Sequence, residues 1–120
     1  MKRSCEATVH AMPGVAVVEL SGEIDGGAAE ALTSAYEKAI VLNDPATVVL
    51  DFAATDYINS TGIALIVSVL ARARSQGRKV VASGLSEHYR EIFDITRLSD
   101  FIQMFTDLDG AVNQLVGPAG

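Results

Sequence analysis

The 120-residue sequence contains little that would indicate a disulfide scaffold, a metal cluster or a membrane segment. Its one cysteine, Cys5, excludes an internal disulfide and a cysteine-based metal site, and a lone cysteine suits a reducing compartment. No apolar run approaches the roughly 18–20 residues needed to cross a bilayer. The basic residues at the start are not followed by an apolar segment, so no signal peptide is predicted. These absences predict a cytoplasmic protein without membrane insertion.

Positive charge is also scarce: the sequence has 9 Lys and Arg residues and 15 Asp and Glu residues, which gives a net charge of −6. An acidic surface repels nucleic acid and anionic membranes, so neither is expected as a main partner. A protein with a basic patch is the expected partner instead. His10 and His88 lie far apart and lack metal-ligand spacing. Neither a P-loop nor a G-x-S-x-G motif is present. The sequence therefore predicts no metal, no cofactor and no enzymatic activity.

What the sequence does contain is apolar periodicity. Hydrophobic residues make up 49% of the chain and charged residues 20%, which is typical of a compact globular protein. The length predicts one domain, over residues 1–116, followed by a flexible tail at 117–120. Short strand signals flank Pro13 and Gly14 and predict an N-terminal hairpin, which residues 21–27 follow as a loop.

Beyond the hairpin, helical and strand signals alternate. Helices are predicted at residues 28–42, 60–75, 86–95 and 108–116, and strands at 47–52, 77–84 and 101–105. The apolar residues from Ile63 to Leu70 cover most of the circumference of the second helix, which predicts that it is the best-buried one. The alternation predicts an α/β fold with a mixed, mainly parallel sheet, an antiparallel first strand and four helices.

A polar tetrapeptide, Asn59 to Gly62, opens the second helix at the carboxyl end of a strand, where functional groups collect in such sheets. The simplest role for Ser60 is the N-cap of that helix. A second interpretation is functional: a phosphate on Ser60 would meet the positive end of the helix dipole and free N–H donors. The fold would then tolerate the phosphate, and a docked partner would feel its charge.

Three segments together resemble the STAS domains, and within them the small bacterial anti-sigma factor antagonists. They are LSGEIDGGAAEAL, VVLDFAATDYINSTGIALIV and EIFDITRLSDFIQMFTDLDGAV, and the resemblance covers nearly the whole chain. It implies a STAS fold and a non-catalytic regulator that binds an anti-sigma factor which is also an ATP-dependent serine kinase. Binding would require the unphosphorylated form, phosphorylation would release the partner, and a serine phosphatase would be a further partner.

The resemblance also implies site residues. The phosphoacceptor of the family falls on Ser60, and a loop that contacts the partner falls on Gly22, Glu23, Ile24 and Asp25. Asn59, Ser60, Thr61 and Gly62 complete the predicted docking surface. Asn59 stands where the antagonists usually carry Asp, and its amide supplies no carboxylate beside the hydroxyl. Two alternatives therefore stay open: Thr61 is the acceptor, or the turn is a docking surface that is not phosphorylated.

Two other functions are compatible with the sequence. The chain could be a STAS scaffold in a lipid-transport or stress-signalling assembly, with constitutive binding and no phosphate. It could also be an aspartyl-phosphate receiver, with Asp51 at a strand end and Lys79 on the next strand. A receiver requires paired acids after its first strand to hold Mg²⁺, and residues 21–27 offer acids in a different context.

Overall fold

The computed structural model describes residues 3–117. Nine main elements follow one another in this range: β1 Glu6–Met12, β2 Val15–Ile24, α1 Ala29–Asn43, β3 Thr47–Ile58, α2 Ser60–Ser75, β4 Lys79–Ser83, α3 Glu87–Ile95, β5 Gln103–Phe105 and α4 Leu108–Val116. Short 3-10 segments at Gly26–Ala28 and Leu98–Asp100 precede α1 and β5. Of the tail predicted at 117–120, residues 118–120 lie outside the described range. No helix within residues 3–117 is long and apolar enough to cross a membrane.

The strands form one sheet in the order β1-β2-β3-β4-β5. Strand β1 is antiparallel to β2, and the remaining neighbours are parallel. The predicted hairpin is confirmed, and Gly14 permits its tight turn by adopting φ of 71°. The predicted fold class, a mixed and mainly parallel sheet with four α-helices, is confirmed as well.

The two faces of the sheet are covered unequally. Alternate residues of β2 and β3, among them Val18 and Leu50, point to one face and pack with buried side chains of α1, α2 and α3. The intervening residues, among them Val17 and Val49, point to the other face and pack with Ala111 of α4. The main core therefore lies under α1, α2 and α3, and α2 is fixed with its first turn at the carboxyl edge of the sheet.

Strands β2 and β3 are both longer than predicted. Residues 21–24 were expected in a loop, yet they continue β2 and pair with the second half of β3, from Ser21 with Ala54 to Ile24 with Ile58. Strand β3 accordingly extends six residues past the predicted end at Phe52. Residues 21–23 and 53–54, where the extensions begin, have weak strand signals, and the two segments are strand because they hydrogen-bond to each other.

The predicted burial of α2 is only partly correct. Its fully buried residues, Gly62, Ile66, Val69 and Ala73, form one stripe at helical spacing. Val67 is 44% exposed, although it lies in the middle of the apolar run that was expected to be covered on nearly all sides. One apolar edge of α2 therefore faces solvent.

Candidate functional site

The turn between β3 and α2 is organised by Asn59. This residue has extended backbone angles, φ of −93° and ψ of −179°, and its side-chain Oδ1 accepts a 2.8 Å hydrogen bond from the Gly62 N–H. Its own backbone N–H donates to the Ile24 carbonyl oxygen at 3.2 Å. Asn59 is therefore the N-cap of α2. The expectation that Ser60 serves as the cap is wrong, because Ser60 is already the first residue of the helix.

Gly62 brings α2 against the end of β2. It is buried, and a Cβ atom at this position would collide with the carbonyl oxygen of Ile24. Only glycine permits this close approach. Together with the hydrogen bond from Asn59, this packing joins the first turn of α2 to the last residue of β2.

Ser60 and Thr61 lie on the outer side of the same turn, and both are exposed. Within residues 3–117, neither side chain has a hydrogen-bond partner, and the backbone N–H groups of both are also unpaired. Such N–H groups at a helix start carry the positive end of the helix dipole. The arrangement presents two free hydroxyls beside donors that suit an anion.

The residues Gly22 to Asp25 lie next to this turn, but they do not form the predicted loop. Gly22, Glu23 and Ile24 end β2, and Asp25 caps the 3-10 segment by accepting a 2.9 Å hydrogen bond from the Gly27 N–H. Ile24 is 1% exposed, and Gly22 and Asp25 are buried too. Glu23 is the only one of the four that is partly exposed. The other three are buried, so they hold the turn in place and offer little surface to a partner.

Two tyrosines that the sequence analysis did not select also lie at this edge. Tyr57 is 50% exposed and sits opposite Glu23 in the β2–β3 pairing. Successive side chains of a strand point to opposite faces, so Tyr57 points outward because Ile58 points to the core. This could have been predicted from the sequence if β3 had been predicted at its full length. Tyr89 of α3 accepts a 2.9 Å hydrogen bond from the Ile58 N–H at its hydroxyl oxygen, and so links α3 to the strand end before the turn.

The geometry contradicts the receiver alternative. Asp51 is 8% exposed, and its Oδ1 accepts a 2.9 Å hydrogen bond from the Ser83 hydroxyl. Lys79 pairs with Thr47 in the sheet, whereas Asp51 pairs with Ser83. Lys79 and Ser83 are four positions apart in β4, which corresponds to about 13 Å of strand. Lys79 therefore lies at the opposite end of β4, too far from Asp51 to contact a phosphate on it.

The remaining candidate groups have structural roles. His10 lies 3.3 Å from a carboxylate oxygen of Glu19, and His88 packs edge-on against the ring of Tyr89. No group of three or more His, Cys, Asp or Glu residues suited to a metal is present within residues 3–117. Burial raises the pKa of the Cys5 thiol above its usual value, and the charges of Asp25 and Glu6 raise it further. Cys5 directly precedes β1 and is packed, partly buried, against the main core.

Known proteins share this architecture and its order of elements. The STAS domain family matches residues 6–111. A protein of Listeria monocytogenes named anti-sigma-B factor antagonist is 30% identical over a 99-residue alignment, which covers 78% of this chain and 81% of that protein. The anti-sigma-B factor antagonist of Bacillus subtilis is 31% identical, and the alignment covers 79% of this chain and 85% of that protein.

A solved structure gives the same result. The crystal structure of an anti-sigma factor antagonist from Mycobacterium paratuberculosis superposes with a TM-score of 0.73 at 30% sequence identity. The superposition covers 94% of this chain and 95% of the other. The family match over residues 6–111 includes the Asn59 to Gly62 turn and the strands and helices beside it.

Proposed function

The chain belongs to the STAS domain family, and we propose that it acts as an anti-sigma factor antagonist. In this proposal the unmodified chain is a non-catalytic cytoplasmic module that binds an anti-sigma factor with serine-kinase activity. The kinase transfers phosphate from ATP to Ser60, the complex dissociates, and a serine phosphatase restores the binding form. The names of the relatives support the type of partner, and the exposure of the Ser60 hydroxyl at the start of α2 is the observation that carries the switch.

Asn59 favours Ser60 as the acceptor because it takes over the capping role. A serine that caps its own helix has its oxygen engaged with a backbone N–H. Here the Gly62 N–H is already bonded to Asn59, so the Ser60 oxygen is available to a kinase. The side-chain oxygen of an amide at this position thus performs a capping task for which a carboxylate is equally suited. Thr61 stays the alternative acceptor, since its hydroxyl is also exposed.

Phosphate at Ser60 would change charge without changing fold. It would add roughly −1.5 to −2 charges at neutral pH. The unpaired N–H groups of Ser60 and Thr61 and the helix dipole would stabilise it locally. A partner docked over the turn would instead bury that charge, and an unpaired charge at an interface centre costs several kcal/mol. The proposed docking surface comprises Glu23, Tyr57, Asn59, Ser60 and Thr61, supported from below by Gly22, Ile24, Asp25 and Gly62.

The first test measures binding to the anti-sigma factor encoded in the same genome, by isothermal titration calorimetry. Ser60→Asp should weaken binding at least about tenfold, which corresponds to about 1.4 kcal/mol, with an unchanged circular dichroism spectrum. Ser68→Asp is the matched control, since it places the same charge on an exposed position of α2 about 12 Å further along the helix. Equal binding by wild type and Ser60→Asp would refute the switch.

The second test identifies the acceptor. Incubation with the kinase and ATP, followed by mass spectrometry, should give one acid-stable phosphate on Ser60 that disappears in Ser60→Ala and persists in Thr61→Ala. The reverse pattern would assign Thr61. Binding without any phosphate transfer would favour a constitutive STAS scaffold, the second candidate, which the amide of Asn59 also permits.

A further inference from the structure

A concave surface lies at the other end of α2, away from the Ser60 turn. It is a half-open groove of about 480 Å³ between the second half of α2, the start of β4 and the 3-10 segment Leu98–Asp100. Its floor is apolar, with Leu70 and Leu98 among the lining residues. Val67 and Phe101 line it as well, and they are 44% and 62% exposed. Large apolar side chains in a concave surface are a feature of protein-binding sites.

The rim of the groove is cationic, which is unusual in a chain of net charge −6. Arg74 lies over the Phe101 ring at 5.7 Å, and the Lys79 Nζ donates a hydrogen bond to the side-chain oxygen of Gln103 at 3.4 Å. Neither has a carboxylate within ion-pair distance in residues 3–117. Arg78, by contrast, is paired with Asp44. The groove therefore presents two cations that are available to an outside group.

The acidic group on the rim does not cancel this charge. The Asp100 carboxylate is bound by the Arg97 guanidinium at 3.2 Å. Positive potential at the groove is thus set by Arg74 and Lys79, flanking an exposed aromatic ring. Arginine and aromatic residues, phenylalanine included, are enriched at protein–protein interfaces relative to the rest of the surface.

We propose that this groove binds an acidic amphipathic helix of a protein partner. Val67, Leu70 and Arg74 follow one face of α2 over about two turns, a length of about 10 Å, and such a ridge suits the i, i+3, i+7 anchors of a docked helix. Carboxylates beside those anchors would pair with Arg74 and Lys79. A half-open surface suits a helix better than a small anionic amphiphile, which requires a pocket that encloses most of it.

The groove is separate from the Ser60 turn. Arg74 lies fourteen positions after Ser60 in α2, which is about 21 Å along the helix. A partner helix in the groove would therefore leave the turn accessible, and the proposal does not depend on phosphorylation or on an anti-sigma factor.

The test uses a fluorescein-labelled peptide of about 16 residues, long enough to be helical alone, with leucines on one face and glutamates beside them. A second peptide carries glutamine at each glutamate position. Fluorescence anisotropy should show saturable binding of the acidic peptide, at least about fivefold tighter than the glutamine peptide, with the preference decreasing as salt rises. Amide chemical shifts in NMR spectra should change at Val67, Arg74 and Phe101, and not at Ser60.

Matched variants separate charge from shape. The double variant Arg74→Gln/Lys79→Gln should abolish the preference for the acidic peptide, whereas Lys38→Gln/Arg90→Gln, which removes two exposed cations elsewhere, should keep it. Phe101→Ser should weaken binding of both peptides, whereas Val41→Ser, at an 86% exposed position of α1, should not. Absence of saturable binding or equal binding of the two peptides would overturn the proposal. So would a groove that binds laurate, a small anionic amphiphile, and does not bind the acidic peptide.

Discussion

The two ends of α2 meet solvent in different ways. At the first turn, the groups that set the geometry are bonded within the chain: the Asn59 side chain to the Gly62 N–H, and the Asn59 N–H to the Ile24 carbonyl. At the other end, Arg74, Lys79 and Phe101 project from the surface. The first turn exposes only small polar side chains, and the groove exposes long and aromatic ones.

The two ends of α2 are therefore suited to different tasks: the first turn holds a hydroxyl in a fixed position, and the groove offers contact area to a partner. A turn fixed by backbone contacts holds one hydroxyl at a defined place, so a single modification can change its charge without moving it. A groove lined by exposed side chains supplies area and charge to a partner, and the fold does not depend on those side chains. Substitutions at the turn should therefore change the free energy of unfolding, whereas Lys79→Gln in the groove should change it by less than about 0.5 kcal/mol.

The largest expected effect on stability is that of Gly62→Ala. Alanine would gain up to about 1 kcal/mol in helix propensity, but its Cβ would collide with the Ile24 carbonyl oxygen. Because the obstacle is backbone, β2 or α2 must shift, and we expect a net loss of about 3 kcal/mol in the free energy of unfolding. Urea denaturation measures it.

The control for this variant is Gly26→Ala. Gly26 is exposed, and a Cβ there would meet only the Thr61 methyl group at 3.5 Å, an ordinary contact. Its stability should stay within about 0.5 kcal/mol of wild type. If Gly62→Ala were equally mild, the first turn of α2 would not be fixed against β2, and the contrast between the two ends would fail.

The next effect is that of Asn59→Ala, which removes the N-cap of α2. We expect a loss of about 1 kcal/mol, within the range of 0.5–2 kcal/mol for such caps. Asn59→Asp should retain the cap and gain about 0.3–1 kcal/mol from the charge at the helix start. Thermal and urea unfolding measure both variants. A loss in Asn59→Asp as large as that in Asn59→Ala would show that the amide NH₂ group, rather than Oδ1, holds the turn.

Much of the fold could be predicted from apolar periodicity. The bounds predicted for α2 and α4 match the structure, and the hairpin follows from the turn at Pro13 and Gly14. The ends of β2 and β3 could not be predicted in the same way. Ser21 and Glu23, like Ala54 and Asp56, are weak strand formers, and they are strand because the two segments pair. That pairing connects residues more than thirty positions apart, so no local pattern indicates it.

In the candidate site, too, the local features could be predicted from the sequence and the features that depend on distant residues could not. The tetrapeptide and its position before a helix could be recognised from sequence, but Asn and Ser are almost equally good N-caps, so the cap could not be assigned. In the structure Asn59 is the cap because its Oδ1 accepts the bond from the Gly62 N–H, and the bond from the Asn59 N–H to Ile24, a residue on another strand, helps to hold it there. The exposure of Val67 depends on the space between α2 and the segment Leu98–Asp100, again a non-local feature. Sequence reasoning thus located the turn and missed the groove.

The smallest loss expected among the contacts that hold the turn is that of Tyr89→Phe, which removes the acceptor for the Ile58 N–H and keeps the ring. A small cleft of about 100 Å³, lined by Ile58, Tyr89 and the start of α3, opens beside this bond, so water can replace the lost hydroxyl. The loss in stability should therefore be about 0.5–1 kcal/mol, which is within the usual net contribution of one hydrogen bond and below the cost of a buried donor left without a partner. Hydrogen exchange should show faster exchange at the Ile58 amide and unchanged exchange in β4. If that amide stayed protected, the bond from α3 would not contribute to holding the strand end before Asn59, and β2 alone would position the turn.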